Sequence, residues 1–306
     1  MIRLTGFEKK TSDPVTIEYV KTPSGDIPVY GIKSFHSLTQ LIGFGKYINK
    51  GFCNVYLRGQ TSLYGGYMSP SALRPKKIPD SDDFEPMNCV KRISDYKYHI
   101  HESLNQTKNF INWNKITIEP LLQHYGIRTY WIDVVDNTWI ALWFSLHNTT
   151  STIVDSREYI HISENTPDQY GYIFLMGSDA IKECEDQPGV YVGDTTKVVD
   201  LRKAVPSYFL RPHAQHGLML KKNSNNLSDY ADYTDKIIAI AKISVSDALK
   251  WIGQTGLLSV QSLFPPPFYD SGYASLMNEY KKPESCKHIS TKSYIYLYGS
   301  IQDITY

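Results

Sequence analysis

The first recurring pattern of apolar residues predicts a helix that follows Ser34. Apolar positions there recur at the intervals of one helix face: Leu38, Leu41, Ile42 and Ile48. The Ser34 hydroxyl can cap the N-terminus of this helix, and Gly51 ends the pattern. The next apolar run, residues 54–57, predicts a short buried strand that ends at Arg58.

Two helices are predicted in the middle of the chain. The first opens at the acidic residues Asp82, Asp83 and Glu85, because negative charge is favourable at a helix N-terminus, and continues to Leu104. The second begins near Thr117, tolerates Pro120 in its first turn and stops at Gly126.

A further helix, capped by Asp136 or Asn137, is apolar on nearly every side from Trp139 to Leu146. Helices with this pattern are buried, so we predict that it lies at the centre of the fold. The polar stretch 149–169 that follows is assigned no regular element.

Strands are predicted late in the chain, at 170–176, 237–243 and 293–298, with a short helix capped by Ser246 that ends near Gly253. The order lacks the regular alternation of strand and helix that builds a doubly wound parallel sheet. We therefore predict an α+β fold, with a mixed or antiparallel sheet at its core and helices packed around the sheet.

The charge balance excludes a general electrostatic attraction to nucleic acid or to an anionic membrane. The chain of 306 residues has 32 Lys and Arg against 31 Asp and Glu, a net charge of +1. Any anion site must therefore be local. The chain has 24 tyrosines, more than is usual. Such a surplus suits partly hydrated edges of the core or a ligand-binding groove.

The remaining composition predicts a cytoplasmic protein without a membrane partner. Residues 1–10 are polar, and no apolar run approaches the ~18 residues of a membrane span. The cysteines are scattered without a CxxC pair, which is typical of reduced thiols: Cys53, Cys89, Cys184 and Cys286.

Arg58, Gly59 and Gln60 form the first candidate ligand-binding group, at the end of the early strand. A guanidinium binds phosphate or carboxylate as a fork, and a glycine lets a ligand or another backbone approach closely. The alternative is structural: Arg58 forms an internal ion pair, with Asp133 as the obvious partner.

The second candidate group is Gln123, His124 and Tyr125, in the last helical turn before the glycine, together with Thr129 and Asp133. A histidine that titrates near neutrality can act as acid or base, and His124 and Asp133 are the candidate catalytic residues. The alternatives are that His124 binds helix-end carbonyls and that the other polar groups serve turns and caps.

Arg211 and Gln215 are the third candidate group, because their spacing lets both side chains point into one site. His213 and His216 lie beside them, but no nearby carboxylate or cysteine completes a metal ligand set. The pair His99 and His101 is no better placed, so no metal is expected.

Several segments resemble the FRG domain family when taken together in order and spacing. They are 56–60 with 69–74, 123–144, 211–217, and Gly256 with 262–265. Leu57 stands where the family has an aromatic residue. The resemblance implies an FRG-like domain at 30–285, between an N-terminal extension at 1–29 and a C-terminal strand segment at 286–306. It also implies a bacterial or phage effector.

The FRG pattern has a more distant likeness to the ADP-ribosyltransferase fold. This likeness implies NAD as substrate, with Arg58 as clamp for the diphosphate and Asp133 or His124 as the catalytic group. ADP-ribose would pass to a protein or nucleic-acid acceptor, or NAD would be hydrolysed. Gln215 stands nearest to the late acidic position of that fold, and its amide carries no charge.

The alternative is an inactive binding module that recognises a nucleotide, a nucleic acid or a protein. Nucleic-acid binding through tyrosines and the lysine pairs 76–77 and 221–222 has less support, because paired lysines are usually solvated loop ends. In either main interpretation the three polar groups line a common cavity, with Arg58 at its mouth.

Overall fold

The computed structural model of the protein describes residues 1–73, 115–126, 129–154, 157–166, 169–253, 255–279 and 295–297. Within these ranges helices surround a large mixed sheet, which confirms the predicted α+β fold. The helix predicted over 82–104 lies outside the described residues.

The strands form one large sheet and one small one. The large sheet has ten strands in the order β1-β2-β12-β7-β3-β4-β11-β10-β9-β8, and the small sheet has the order β13-β6-β5. The strand bounds are β1 Thr16–Val20, β2 Ile27–Ile32, β3 Asn54–Gln60, β4 Ile132–Val135, β5 His147–Val154, β6 Arg157–Glu164, β7 Tyr170–Ser178, β8 Glu183–Cys184, β9 Gln187–Val192, β10 Thr196–Asp200, β11 Gly217–Lys222, β12 Ile237–Ser244 and β13 Ile295–Leu297.

The described α-helices lie mostly on one face of the large sheet. Their bounds are α1 Phe35–Asn49, α2 Lys115–His124, α3 Thr138–Leu146, α4 Leu201–Ala204, α5 Leu210–Ala214, α6 Val245–Ile252, α7 Val260–Leu263 and α8 Ser271–Glu279. Short 3-10 helices occupy Phe7–Lys9, Tyr64–Gly66, Ser71–Leu73, Leu227–Tyr230, Thr234–Lys236 and Gly256–Leu258.

Local sequence signals set the ends of α1 and α3. Ser34 caps α1 by accepting a hydrogen bond from the amide of Ser37, as predicted. Asn137 caps α3 through its side-chain oxygen, and nearly all of that helix is buried at the centre of the molecule. Trp139, at its first turn, is the exception, since its side chain is partly exposed.

Other predicted boundaries were wrong. The helix predicted from Ser246 begins at Val245, directly after β12 ends at Ser244, because the chain turns from strand into helix without a loop. Helix α2 begins two residues before Thr117, so Pro120 lies inside it. The polar stretch 149–169 forms most of the hairpin of β5 and β6, whose strand pairing satisfies the backbone of its many Ser and Thr residues.

Residues 1–29 are part of the same packed structure. Leu4 and Phe7 are fully buried in the core beneath α1, and β2 runs parallel to β12. The other described neighbours in the large sheet are antiparallel, so the sheet is mixed.

Two groups of helices meet above the middle of the large sheet. Helix α3 packs on β3 and β7, while α2 packs on β11, and both helices contact β4. Each group covers its own apolar cluster, one around Leu57 and Leu175 and the other around Met219. Side chains of β4 that face the helices therefore lie at the junction between the groups.

Candidate functional site

Strands β3 and β4 meet only briefly in the centre of the sheet. Leu57 opposite Val135 is the one registered pair between them, whereas β3 pairs with β7 along its whole length. Beyond this pair the Arg58 guanidinium spans the gap, and its Nη1 donates a hydrogen bond of 2.6 Å to the carbonyl oxygen of Asp133. The predicted partner of Arg58 is thus present, but the contact is with its main chain.

Gly59 lies under α3. A Cβ built on Gly59 would lie 2.0 Å from the carbonyl oxygen of Ala141 and 2.8 Å from the amide nitrogen of Ser145. The close approach that this glycine allows is therefore that of another backbone. Gln60 ends β3 as a buried side chain, and its Oε1 accepts no hydrogen bond within the described part of the chain.

The Asp133 carboxylate faces the last turn of α2. Its Oδ2 accepts a hydrogen bond of 3.3 Å from Nε2 of Gln123, and its Oδ1 lies 3.5 Å from Nδ1 of His124. The side chain is 42% exposed, so water can reach it. Arg58 donates to the carbonyl oxygen of this residue, and its charge also acts on the carboxylate.

Gln123 organises the polar groups around this carboxylate. Its Oε1 accepts hydrogen bonds from the Ser71 hydroxyl at 2.7 Å and from the Thr129 amide and hydroxyl, both at 2.9 Å. Because the oxygen is committed to these donors, the NH2 group must point to Asp133. Sequence analysis did not select Ser71, although it belongs to the 69–74 segment quoted for the family.

His124 is buried between the sheet and Asp133. Its ring lies over Gly217, where a Cβ would be 2.7 Å from Cε1. The carbonyl of His124 accepts a hydrogen bond of 3.4 Å from Nη1 of Arg211, so the cation near this helix end is Arg211. Within the described residues, neither ring nitrogen has a hydrogen bond of ordinary geometry, and the nearest polar contact is that of Nδ1 with the Asp133 carboxylate at 3.5 Å.

Opposing effects set the charge of Asp133. The protein atoms around it raise the pKa of the carboxyl, while its contact with His124, the charge of Arg58 and the Gln123 amide lower it. The lowering effects prevail, and the pKa lies below its ordinary value of 3.8. At neutral pH the group is therefore an ionised, hydrated carboxylate.

The remaining predicted site residues lie in the core. Arg211 is fully buried, with its guanidinium carbon 4.5 Å from the ring centroid of Tyr125 and 4.8 Å from that of Tyr273. The Tyr125 hydroxyl donates to Asp270, and burial raises the pKa of Tyr125. Gln215 donates from Nε2 to the carbonyl of Leu263 at 2.6 Å, which ties the third segment to the fourth.

The three residue groups predicted from the sequence therefore contact one another. Some of their side chains lie at the partly exposed carboxylate and the others in the buried core. The carboxylate of Asp133 is surrounded by Arg58, Gln123, His124 and Thr129. The other polar side chains lie deeper and support it from the core. Neither of the two best-formed cavities in the described part of the chain is lined by Asp133 or its partners.

A second charged cluster, which sequence analysis missed, lies near the ends of β4 and β10. Arg202 makes paired hydrogen bonds to the carboxylates of Asp200 and Asp136, and its Nη1 lies 3.1 Å from Nδ1 of His216. Arg202 belongs to no recognisable motif, so no sequence signal could have found it. Among the described residues, no group of His, Cys, Asp and Glu is arranged to hold a metal ion.

The fold and site together define an α+β protein with an ionised aspartate at the junction of two helix groups. Residues 54–152 match the family model of the FRG domain, so the resemblance to the FRG domain family is confirmed over that segment. The matched segment contains Arg58, His124 and Asp133 and ends before Arg211. No curated protein and no solved structure matches the chain. In the part of the chain that is described, no helix is both long and apolar enough to cross a membrane.

Proposed function

We propose that the polar cluster around Asp133 is the active site of an enzyme that consumes NAD, as an ADP-ribosyltransferase or an NAD glycohydrolase. The observation that supports it is the carboxylate itself, which is ionised and reached by water. Cleavage of the nicotinamide–ribose bond develops positive charge on the sugar, and a fixed carboxylate beside that charge stabilises the transition state.

The neighbouring side chains supply the other roles. The charge of Arg58 at the gap between β3 and β4 suits the diphosphate of NAD. The glycosidic bond breaks with its electron pair leaving on nicotinamide, and a water or an acceptor group attacks the sugar cation. The exposed carboxylate of Asp133 accepts the proton of that nucleophile, and His124, whose Nδ1 lies 3.5 Å from the carboxylate, holds it in place.

The test measures nicotinamide release from NAD by the pure protein, with and without candidate protein or nucleic-acid acceptors. We expect Asp133→Asn to lower kcat by about 100-fold or more, the range for loss of a catalytic polar group. Asp247→Asn is the matched control, because Asp247 is 41% exposed and lies on α6. Equal activity of the two variants would overturn the assignment.

A binding module without turnover is the second candidate, and the third polar group favours it. Gln215 is buried and bonded to Leu263, so the described residues offer no second carboxylate at that position. In this case NAD or another nucleotide raises the melting temperature without nicotinamide release. Asp133→Asn and Arg58→Met would each reduce that stabilisation.

A further inference from the structure

A cavity of about 180 Å³ lies beside the first half of α2, and neither Asp133 nor its hydrogen-bonding partners line it. Three lysines and one glutamate line it, beside two aromatic rings and one aliphatic side chain: Ile116, Glu119, Trp131, Lys197, Lys221, Lys222 and Tyr230. Lys221 and Lys222 were interpreted as solvated loop ends, and that was wrong. They lie in β11, with side chains only 19% and 16% exposed.

Strand register brings two of these lysines together. Lys197 on β10 stands directly opposite Lys221 on β11, and residues in this relation project from the same face of a sheet. Side chains directly opposite have Cβ atoms about 5 Å apart, and like charges there destabilise the pair. The side chains of two lysines therefore start side by side at the wall of a cavity, with no opposite charge between them in the strand register.

Neighbouring groups fix two of the cations in place. The Nζ of Lys221 lies 3.6 Å from a carboxylate oxygen of Glu119 and 4.9 Å from the ring centroid of Tyr230. The Nζ of Lys222 lies 2.8 Å from Asp235. Lys197 has no carboxylate partner within the described residues, and its strand neighbour on the other side is Val192. Lys222 follows Lys221 in the strand, so it projects from the other face of the sheet, towards Asp235. Lys197 is therefore the residue that gives the cavity wall an excess of positive charge.

We infer that this cavity binds the phosphate group of a small phosphorylated molecule. Lysines converging from two strands suit an anion with several oxygens, and phosphate is such an anion. The cavity volume of about 180 Å³ is well above the ~10–15 Å³ that one water molecule needs by the same measure, so it admits a phosphate and part of the group that it esterifies. A nucleic-acid strand is a poor fit, because the whole chain carries a net charge of only +1.

The inference is independent of the proposed NAD chemistry. Glu119 lines the cavity and Gln123 binds Asp133, and at the helical rise of ~1.5 Å per residue the two positions are about 6 Å apart along α2. The sites are thus neighbours with separate walls. Binding of a phosphate needs no turnover and no contribution from Asp133.

Titration calorimetry at constant ionic strength tests the inference with inorganic phosphate, AMP and adenosine as probes. We expect phosphate and AMP to bind and adenosine to fail. Lys197→Gln should weaken the binding of phosphate and of AMP by about tenfold or more, which is the effect of losing one charged hydrogen bond. Lys242→Gln is the matched control, because Lys242 lies in the same sheet, is 22% exposed and pairs with Glu18.

A second readout covers the stability of the variants. Without ligand, Lys197→Gln should melt higher than the wild type, because the repulsion with Lys221 is relieved. Phosphate should stabilise this variant less than it stabilises the wild type and the control. Asp133→Asn should keep its affinity for phosphate, which separates this site from the proposed active site. Three results would overturn the inference: equal binding by Lys197→Gln, equal binding of adenosine, or tighter binding of a single-stranded oligonucleotide than of AMP.

Discussion

At the scale of single residues, Asp133 combines a dense protein environment with access to water. Gln123, His124 and the nearby Arg58 hold its carboxylate in the charged form, although the surrounding atoms oppose that charge. Protein groups stabilise the charge from one side of the carboxylate, and the other side is exposed to water. A carboxylate held in this way is suited to meet a cation, whether on a substrate or on a partner.

The lowered pKa of Asp133 makes stability depend on pH in the acid range. Its folded pKa lies below the unfolded value, so its contribution is complete above about pH 4 and disappears as pH falls through the folded pKa. We expect Asp133→Asn to lower the urea midpoint most above pH 4 and progressively less towards pH 2. A midpoint difference that stays constant over this range would contradict the direction of the shift.

Arg211 is the second residue with a clear energetic expectation. Its fully buried guanidinium stacks on aromatic rings and binds the end of α2, so Arg211→Met should lower the free energy of unfolding by about 3–5 kcal/mol. Arg211→Lys should not retain the wild-type free energy of unfolding either, since an ammonium lacks the planar group that stacks on the rings. Urea unfolding measures both, and Lys250→Met, on the exposed face of α6, is the control with little expected change.

At the scale of elements, the packing of α3 on β3 positions the site, because α3 follows β4 directly and fixes where Asp133 stands. The two backbones approach so closely that only a glycine fits between them. Gly59 thereby sets the distance between strand and helix.

We expect Gly59→Ala to destabilise the protein by about 3 kcal/mol or more, because its Cβ would meet backbone atoms of α3 that cannot move independently. Gly43→Ala is the matched control. A Cβ at that exposed position of α1 meets nothing within 4 Å, and alanine should stabilise the helix by up to ~1 kcal/mol. Thermal or urea unfolding of the pair measures the difference, and similar effects at both positions would disprove the packing role.

The elements also show what the sequence can predict. Helices α1 and α3 could be found from it, because a cap and an apolar period are local signals. The hairpin of β5 and β6 could not, since its strands are rich in Ser and Thr and are specified by pairing with each other. Within the site, the pairing of Arg58 with Asp133 was predicted, but the atom involved was not. That atom depends on how far β3 and β4 diverge, which no sequence pattern reports.

At the scale of the whole molecule, the first and last thirds of the chain form one side of the large sheet together. Strand β2 lies against β12, and the segment before β1 fills the core beneath α1. Phe7 packs edge-to-face on Tyr30, with ring centroids 5.4 Å apart. An N-terminal segment placed in this way supports the same core as the site.

Phe7→Ala should therefore lower the free energy of unfolding by about 3–5 kcal/mol, the usual effect of removing a buried phenylalanine. Tyr47→Ala, at an exposed position of α1, should cost less than about 1 kcal/mol. Urea unfolding compares the two. If residues 1–29 were a separate extension, both variants would unfold at the wild-type midpoint.

The single registered pair between β3 and β4 has a mechanical consequence. In the described strands, the large sheet consists of two five-stranded halves whose strand ladder is reduced to Leu57 with Val135, and side chains such as Arg58 and the hydrogen bond between Ser178 and Thr196 also link the halves. Local unfolding begins where a sheet has the fewest hydrogen bonds between strands. The backbone amides at the boundary of β3 and β4 should therefore exchange before the amides within either half. A molecule bound by both Arg58 and Asp133 would link the two halves of the sheet. Its binding should slow amide hydrogen exchange at Val134.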